Sequence, residues 1–208
     1  MADQSDTPYL QIRFHLADGS IQEFLQDNET AARRIFENLR PAQLFKQARI
    51  MIAGTYSMTA FIPSHISKID LVAADLACWE FPAKLSDVVE LSEAKFRELS
   101  GLDTETLEKR GQTRIPGDSF VAFLDLEMRS AKHVYLMIEG AVDLPAERFS
   151  RLQLLLSNTH LHARLPEGGL CIVNLANLVR FTVYPGPAEA PMDAWCAHHK
   201  QTPDPALV

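Results

Sequence analysis

His160 and His162 stand two residues apart in a stretch, His160 to Leu165, whose apolar spacing predicts a strand. Residues i and i+2 of a strand project from one face, so both imidazoles would converge on one side, the beginning of a divalent-metal site. Glu167 or His133 could add a ligand. Zinc takes three or four protein ligands, and no other His, Cys or Asp cluster has a spacing that completes the set, so plain surface histidines are the competing reading. Cys196, His198 and His199 put three more donors within four residues, but in a proline-rich terminal stretch with no rigid element to hold them, where chance donors are the expectation.

Nucleophilic catalysis finds less support. Gly117-Asp118-Ser119 superficially resembles the nucleophile block of a family of serine-dependent esterases, in which the serine follows a buried strand and precedes a helix. Here the strand comes after, no Gly-x-Ser-x-Gly elbow exists, and Ser119 reads as a strand start. Asp70, Asp75 and Glu80, then Asp125, Glu127, Glu139 and Asp143, could pair as acid and base, yet outward acids on strands produce the same pattern. No glycine-rich phosphate loop occurs.

Arg33, Arg34, Arg40, Lys46 and Arg49 form the strongest anion- or partner-binding candidate, because only Glu37 opposes them in a chain whose formal net charge is -7. An RNA reader would interleave exposed aromatics for base stacking, whereas Phe36 and Phe45 fall on the apolar side of the helical pattern. A solvated helix face is the competing reading.

The elements that would position these residues follow from periodicity. Leu10, Ile12, Phe14 and Leu16 alternate with polar residues as in a half-buried strand, Asp18-Gly19 suits a tight turn, and Ile21 to Gln26 returns. Ala32, Ile35, Phe36 and Leu39 share one face of a helix behind the caps of 27–30, and Pro41 stops or restarts it. Strands are predicted at Arg49 to Ala53, Met58 to Ile62 and Ile66 to Ala73, with Cys78 to Phe81 closing the unit. Residues 82–118 read as a helical connector with helices at Ser92 to Leu99 and Thr104 to Arg110. Phe120 to Met128 and His133 to Leu144 then form an antiparallel pair, Pro145 opens a helix reaching Leu156, and strands follow at His160 to Leu165, Leu170 to Val173 and Leu178 to Tyr184.

Both halves thus read strand, strand, helix, then strands. The expected class is α+β: two related β-rich units with mainly antiparallel sheets, each able to form a small barrel, at 1–81 and 119–184, joined by the connector 82–118 and followed by a proline-rich tail, 185–208. A duplication is the expected origin.

A chain of 208 residues with 47% hydrophobic and 23% charged residues has the makeup of a globular protein with a substantial core, which excludes wholesale disorder and collagen-like repeats. Cys78, Cys171 and Cys196 are far apart and odd in number, so no disulfide framework is expected. The start is polar and acidic, unlike a secretory leader, and no run approaches a membrane span, so a soluble cytoplasmic protein is expected.

The function expected is a non-catalytic binding or protein-interaction module for a protein or small ligand, with no cofactor. The alternatives are a metal-binding enzyme using His160 and His162, and an RNA-binding small-barrel protein using Arg33 to Arg49, which the acidic charge disfavours. Strand edges need a cover from the other half or from a second chain, which makes a homodimer the secondary expectation.

Overall fold

The computed structural model describes residues 8–73, 85–101, 119–141, 155–184 and Trp195. The first half contains β1 (Leu10–Leu16), β2 (Ile21–Gln26), helices α1 (Glu29–Asn38) and α2 (Pro41–Leu44), a hairpin of β3 (Ile50–Ala53) and β4 (Met58–Phe61), a 3-10 turn at Pro63–His65, and β5 (Ile66–Val72). Strand β6 (Leu85–Leu91) and helix α3 (Glu93–Ser100) come next. The second half has β7 (Ser119–Met128), β8 (His133–Ala141), β9 (His160–Arg164), β10 (Leu170–Asn174), a 3-10 turn at Leu175–Asn177, and β11 (Leu178–Tyr184).

Nine strands form one mainly antiparallel sheet in the order β11-β7-β8-β6-β9-β10-β5-β1-β2, and β3-β4 stand beside it as a two-stranded sheet. The class is therefore mixed α+β, mostly strand. The small barrels expected of each half do not form, because β5 and β10 spend their free sides on each other and join the halves into an open sheet. Residues 82–118 are also not wholly helical: β6 enters the sheet between β8 and β9.

Local chemistry accounts for the element ends. The Asn28 side chain accepts the Ala31 N–H at 2.9 Å, proline starts α2, and Ser92 caps α3, whose end is closed by Gly101 at φ 66°. The helix expected at 104–110, residues 145–154 of the helix expected to reach Leu156, and the strand at Cys78 to Phe81 lie outside the described residues, while Leu155 and Leu156 are helical.

Two cores flank the sheet. Leu10, Ile12 and Phe14 of β1, Ile69 and Leu71 of β5, Ala32 and Phe61 build the first, in which the Phe14 and Phe61 rings stack at 4.1 Å. Val88, Leu124, Leu126, Leu136 and Ile138 build the second. β10 serves both, sending Leu170 and Ile172 into the first core and Cys171 and Val173 into the second, which explains the unbroken apolar run of those four residues. Each such side chain fully buried contributes roughly 1.5–3 kcal/mol.

The pairings of the two halves run in step. His15 faces Ile21 across β1-β2, and Glu127 faces His133 across β7-β8, each position 112 residues further on. On the other side of β1, Leu16 faces Ile66 and His15 faces Lys68, with a bulge between; Met128 with Leu178 and Glu127 with Arg180 repeat that bulge at the same interval. The 3-10 turns keep the interval too. They also clasp each other: Asn174 Nδ2 donates to the Pro63 and Ile66 carbonyls, and Asn177 Nδ2 to those of Ser64 and Ile66. Among the described residues no helix is long and apolar enough to cross a membrane.

Candidate functional site

The polar residues of β5 alternate with apolar ones, so Lys68 and Asp70 share a face. Register places Asp70 between Arg13 of β1 and Cys171 of β10, and Lys68 between His15 and Val173. Flanked on both sides, these two charges are buried, with Asp70 only 3% exposed. Glu90 arrives from β6. Its contact with β9 is a single parallel bridge, Val89 to Arg164 at the last residue of β9, so Glu90 stands past the end of that strand.

These groups pair with one another. Lys68 Nζ lies 2.6 Å from Glu90 Oε1 and 3.2 Å from Asp70 Oδ1, while His15 Nε2 is 2.7 Å from Asp70 Oδ2. Asp70 Oδ1 is close to the ammonium but poorly aligned for a hydrogen bond, and Glu90 Oε2 has none. Burial opposes the Lys68 charge, but the Asp70 and Glu90 carboxylates around it outweigh burial and raise its pKa. Burial also works against the Asp70 carboxylate; the His15 hydrogen bond and the Lys68 charge overcome it and lower its pKa. Burial and the Glu90 charge push the Cys171 thiol well above its ordinary range.

The donor atoms of Asp70, Glu90 and Cys171 lie within 4.8 Å of one another, a spacing that could suit one metal ion. The chemistry does not. An ammonium already bridges both carboxylates, occupying the place between them that an ion would need. The cluster is an ion-paired network within the sheet, one ammonium between two carboxylates. Of its members, only Asp70 and Cys171 stand out in the sequence as possible chemistry, and they do so for other reasons. Lys68 and Asp70 look solvated until strands are known to lie on both sides of β5.

His160 and His162 do project together from β9, with parallel rings whose centroids are 6.0 Å apart. Burial, His162 and Lys46 lower the His160 pKa, so its imidazole is neutral at pH 7, and its Nδ1 is buried with no hydrogen-bond partner. No third His, Cys, Asp or Glu joins them among the described residues. Glu167 instead accepts from Arg13 at 2.9 Å, and His133 pairs with Asp125.

In the basic stretch, Arg33 pairs with Glu29 one helical turn away, and Arg40 donates to the Glu37 and Leu39 carbonyls. Arg34, Lys46 and Arg49 are exposed and have no carboxylate partner among the described residues. Phe36 and Phe45 pack, partly buried, against the first core. Asp125 and Glu127 are engaged by His133 and Arg180, and Ser119 opens β7. Asp75, Glu80, Gly117, Asp118, Asp143, Cys196, His198 and His199 lie outside the described residues.

Comparison with known proteins finds no matching family model, curated protein or solved structure.

Proposed function

We propose that the protein is a non-catalytic interaction module made of two copies of one α+β unit, and that it works by presenting sheet edges and apolar strand faces to a protein partner. The observation that carries this reading is a contrast. The buried titratable groups of Lys68, Asp70 and Glu90 spend themselves on one another, while Ile21, Leu25, Met51, Met58, Ile62 and Val179 are each about half exposed or more. Water-exposed apolar side chains concentrated on sheet edges and a hairpin mark a contact surface. The duplication is supported by the common interval of the registers, bulges and 3-10 turns. A photo-crosslinking residue at Leu25, Met58 or Val179 in cells making the protein should yield discrete protein adducts, and the same residue at polar Asp87 should not. Adducts from none of the three positions would sink the reading.

The paired rings of His160 and His162 favour a second reading, a site for a divalent metal. Calorimetric titration with zinc or nickel at pH 7 should then show one ion per chain, with affinity falling at least about 10-fold in His162→Ala. Binding that is absent, or unchanged in that variant, removes it.

A further inference from the structure

Among the described residues, one strand pair joins the two halves into the sheet. β5, the last strand of the first half, runs antiparallel to β10, with Leu71 opposite Leu170, Ile69 opposite Ile172 and Lys68 opposite Val173. Moved by the 112-residue interval, β5 becomes β11 and β10 becomes β4. Both counterparts have an open side: among the described residues β4 pairs only with β3, and β11 only with β7.

We propose that β11 of one copy pairs antiparallel with β4 of a second copy, in the register that β5 and β10 use inside the chain. This rests on the interaction-module reading and names its surface and its partner. Transferred to the new pair, the register sets Val183 opposite Met58, Phe181 opposite Ala60 and Arg180 opposite Phe61, with Val179, the bulged residue of β11, and Ile62 adjoining just beyond it. The residues it brings together are those left in water: Met58 is 65% exposed, Val179 61%, Ile62 52% and Phe181 38%. Their counterparts at the internal joint are covered. Leu170 stands where Met58 would, and Ile69 where Phe181 would, and both are buried to 3% exposure or less.

The core argument agrees. Leu170 and Ile172 reach across the joint to complete the first core beside Ile69 and Leu71. Phe181 and Val183 lie opposite Leu126 and Leu124 at the margin of the second core, where Val183 already packs, and Met58 and Ala60 of another copy would extend it in the same way. Neither strand carries a proline or a lysine, and the one charge on them, Arg180 of β11, is paired with Glu127 of β7. Because the contact joins two different surfaces, two copies can satisfy both of their contacts only by closing on each other; otherwise the contact propagates.

The test uses the full chain in sedimentation velocity across a concentration series. Wild type should self-associate, and Phe181→Glu or Met58→Glu should each weaken association at least about 30-fold, as expected for a charge placed in a packed contact. Circular dichroism confirms that each variant is folded. An equimolar mixture of the two variants should regain association, since the intact β11 of one meets the intact β4 of the other. In a Cys78→Ser, Cys196→Ser background, Val183→Cys on one copy should form a disulfide with Met58→Cys on another, and not with Ile62→Cys, four residues out of register. A chain that stays monomeric, or variants that fail to complement when mixed, would overturn the proposal. Association that ignores both substitutions but is lost in Leu25→Glu would place the second copy on β2, overturning this pairing while leaving the interaction-module reading intact.

Discussion

Lys68→Met should destabilise the fold by about 3–5 kcal/mol, the cost of removing one partner from a buried ion pair and leaving the others uncompensated. Lys68 is the cation shared by Glu90 and Asp70, so its loss strands two carboxylates in the sheet. The midpoint of urea unfolding reads the loss directly. Replacing the whole set, as in Lys68→Met with Asp70→Leu and Glu90→Met, should recover most of it, because apolar groups of similar size owe no desolvation cost. If the single change is nearly neutral, the network does not hold the sheet. The same groups set the pH range of stability. Asp70 has a folded pKa below its ordinary 3.8, so its contribution is present above that value and lost as pH falls through the folded one. Lys68 has a raised pKa, so its contribution is complete below the ordinary 10.5 and declines as pH rises beyond it. A plateau across neutral pH follows, and Asp70→Asn should remove its acid shoulder.

Gly169→Ala should be the other severe change. Gly169 has φ 115°, a conformation open to glycine and strained for alanine, and an added Cβ would sit 2.1 Å from the Leu71 carbonyl oxygen and 3.0 Å from Val72 Cα. Both obstacles are backbone, so relief requires the β9-β10 turn to draw away from β5. A loss of roughly 3 kcal/mol or more is expected in thermal unfolding, with faster hydrogen exchange at the β5-β10 amides. Gly168→Ala should cost less: its φ of 97° is strained as well, but the nearest atom, Ala73 O, lies at 3.3 Å. A Gly169→Ala protein as stable as wild type would contradict the tight apposition of turn and strand.

Much of this architecture is legible before any coordinates. The alternation of Leu10 to Leu16 and the turn at Asp18-Gly19 define β1 and β2 to the residue, and the apolar face of Ala32, Ile35 and Phe36 locates α1. Those signals are local. The main departures are not: β6 was hidden in a charged stretch, its Asp87 and Glu90 making it look unlike a central strand. The sheet order depends on β5 meeting β10 across about a hundred residues, and no periodicity reports a partner at that distance. The candidate site divides the same way. His160 and His162 follow from strand geometry alone, whereas the network around Lys68 exists only because strands from both halves close over β5. Both halves show the same order of elements in the sequence, but side-chain similarity aligns Phe61 with Leu170, whereas the 112-residue interval of the paired registers sets it against Val173.

The division of β10 between two cores has a consequence for how the chain is made. On a ribosome adding about 5–20 residues each second, Ile69 and Leu71 emerge roughly 5–20 s before Leu170 and Ile172 exist to cover them. Through that interval the nascent first half carries a bare, greasy strand margin, so its safe maturation depends on shielding by a chaperone or on synthesis outrunning encounters with other unfinished chains.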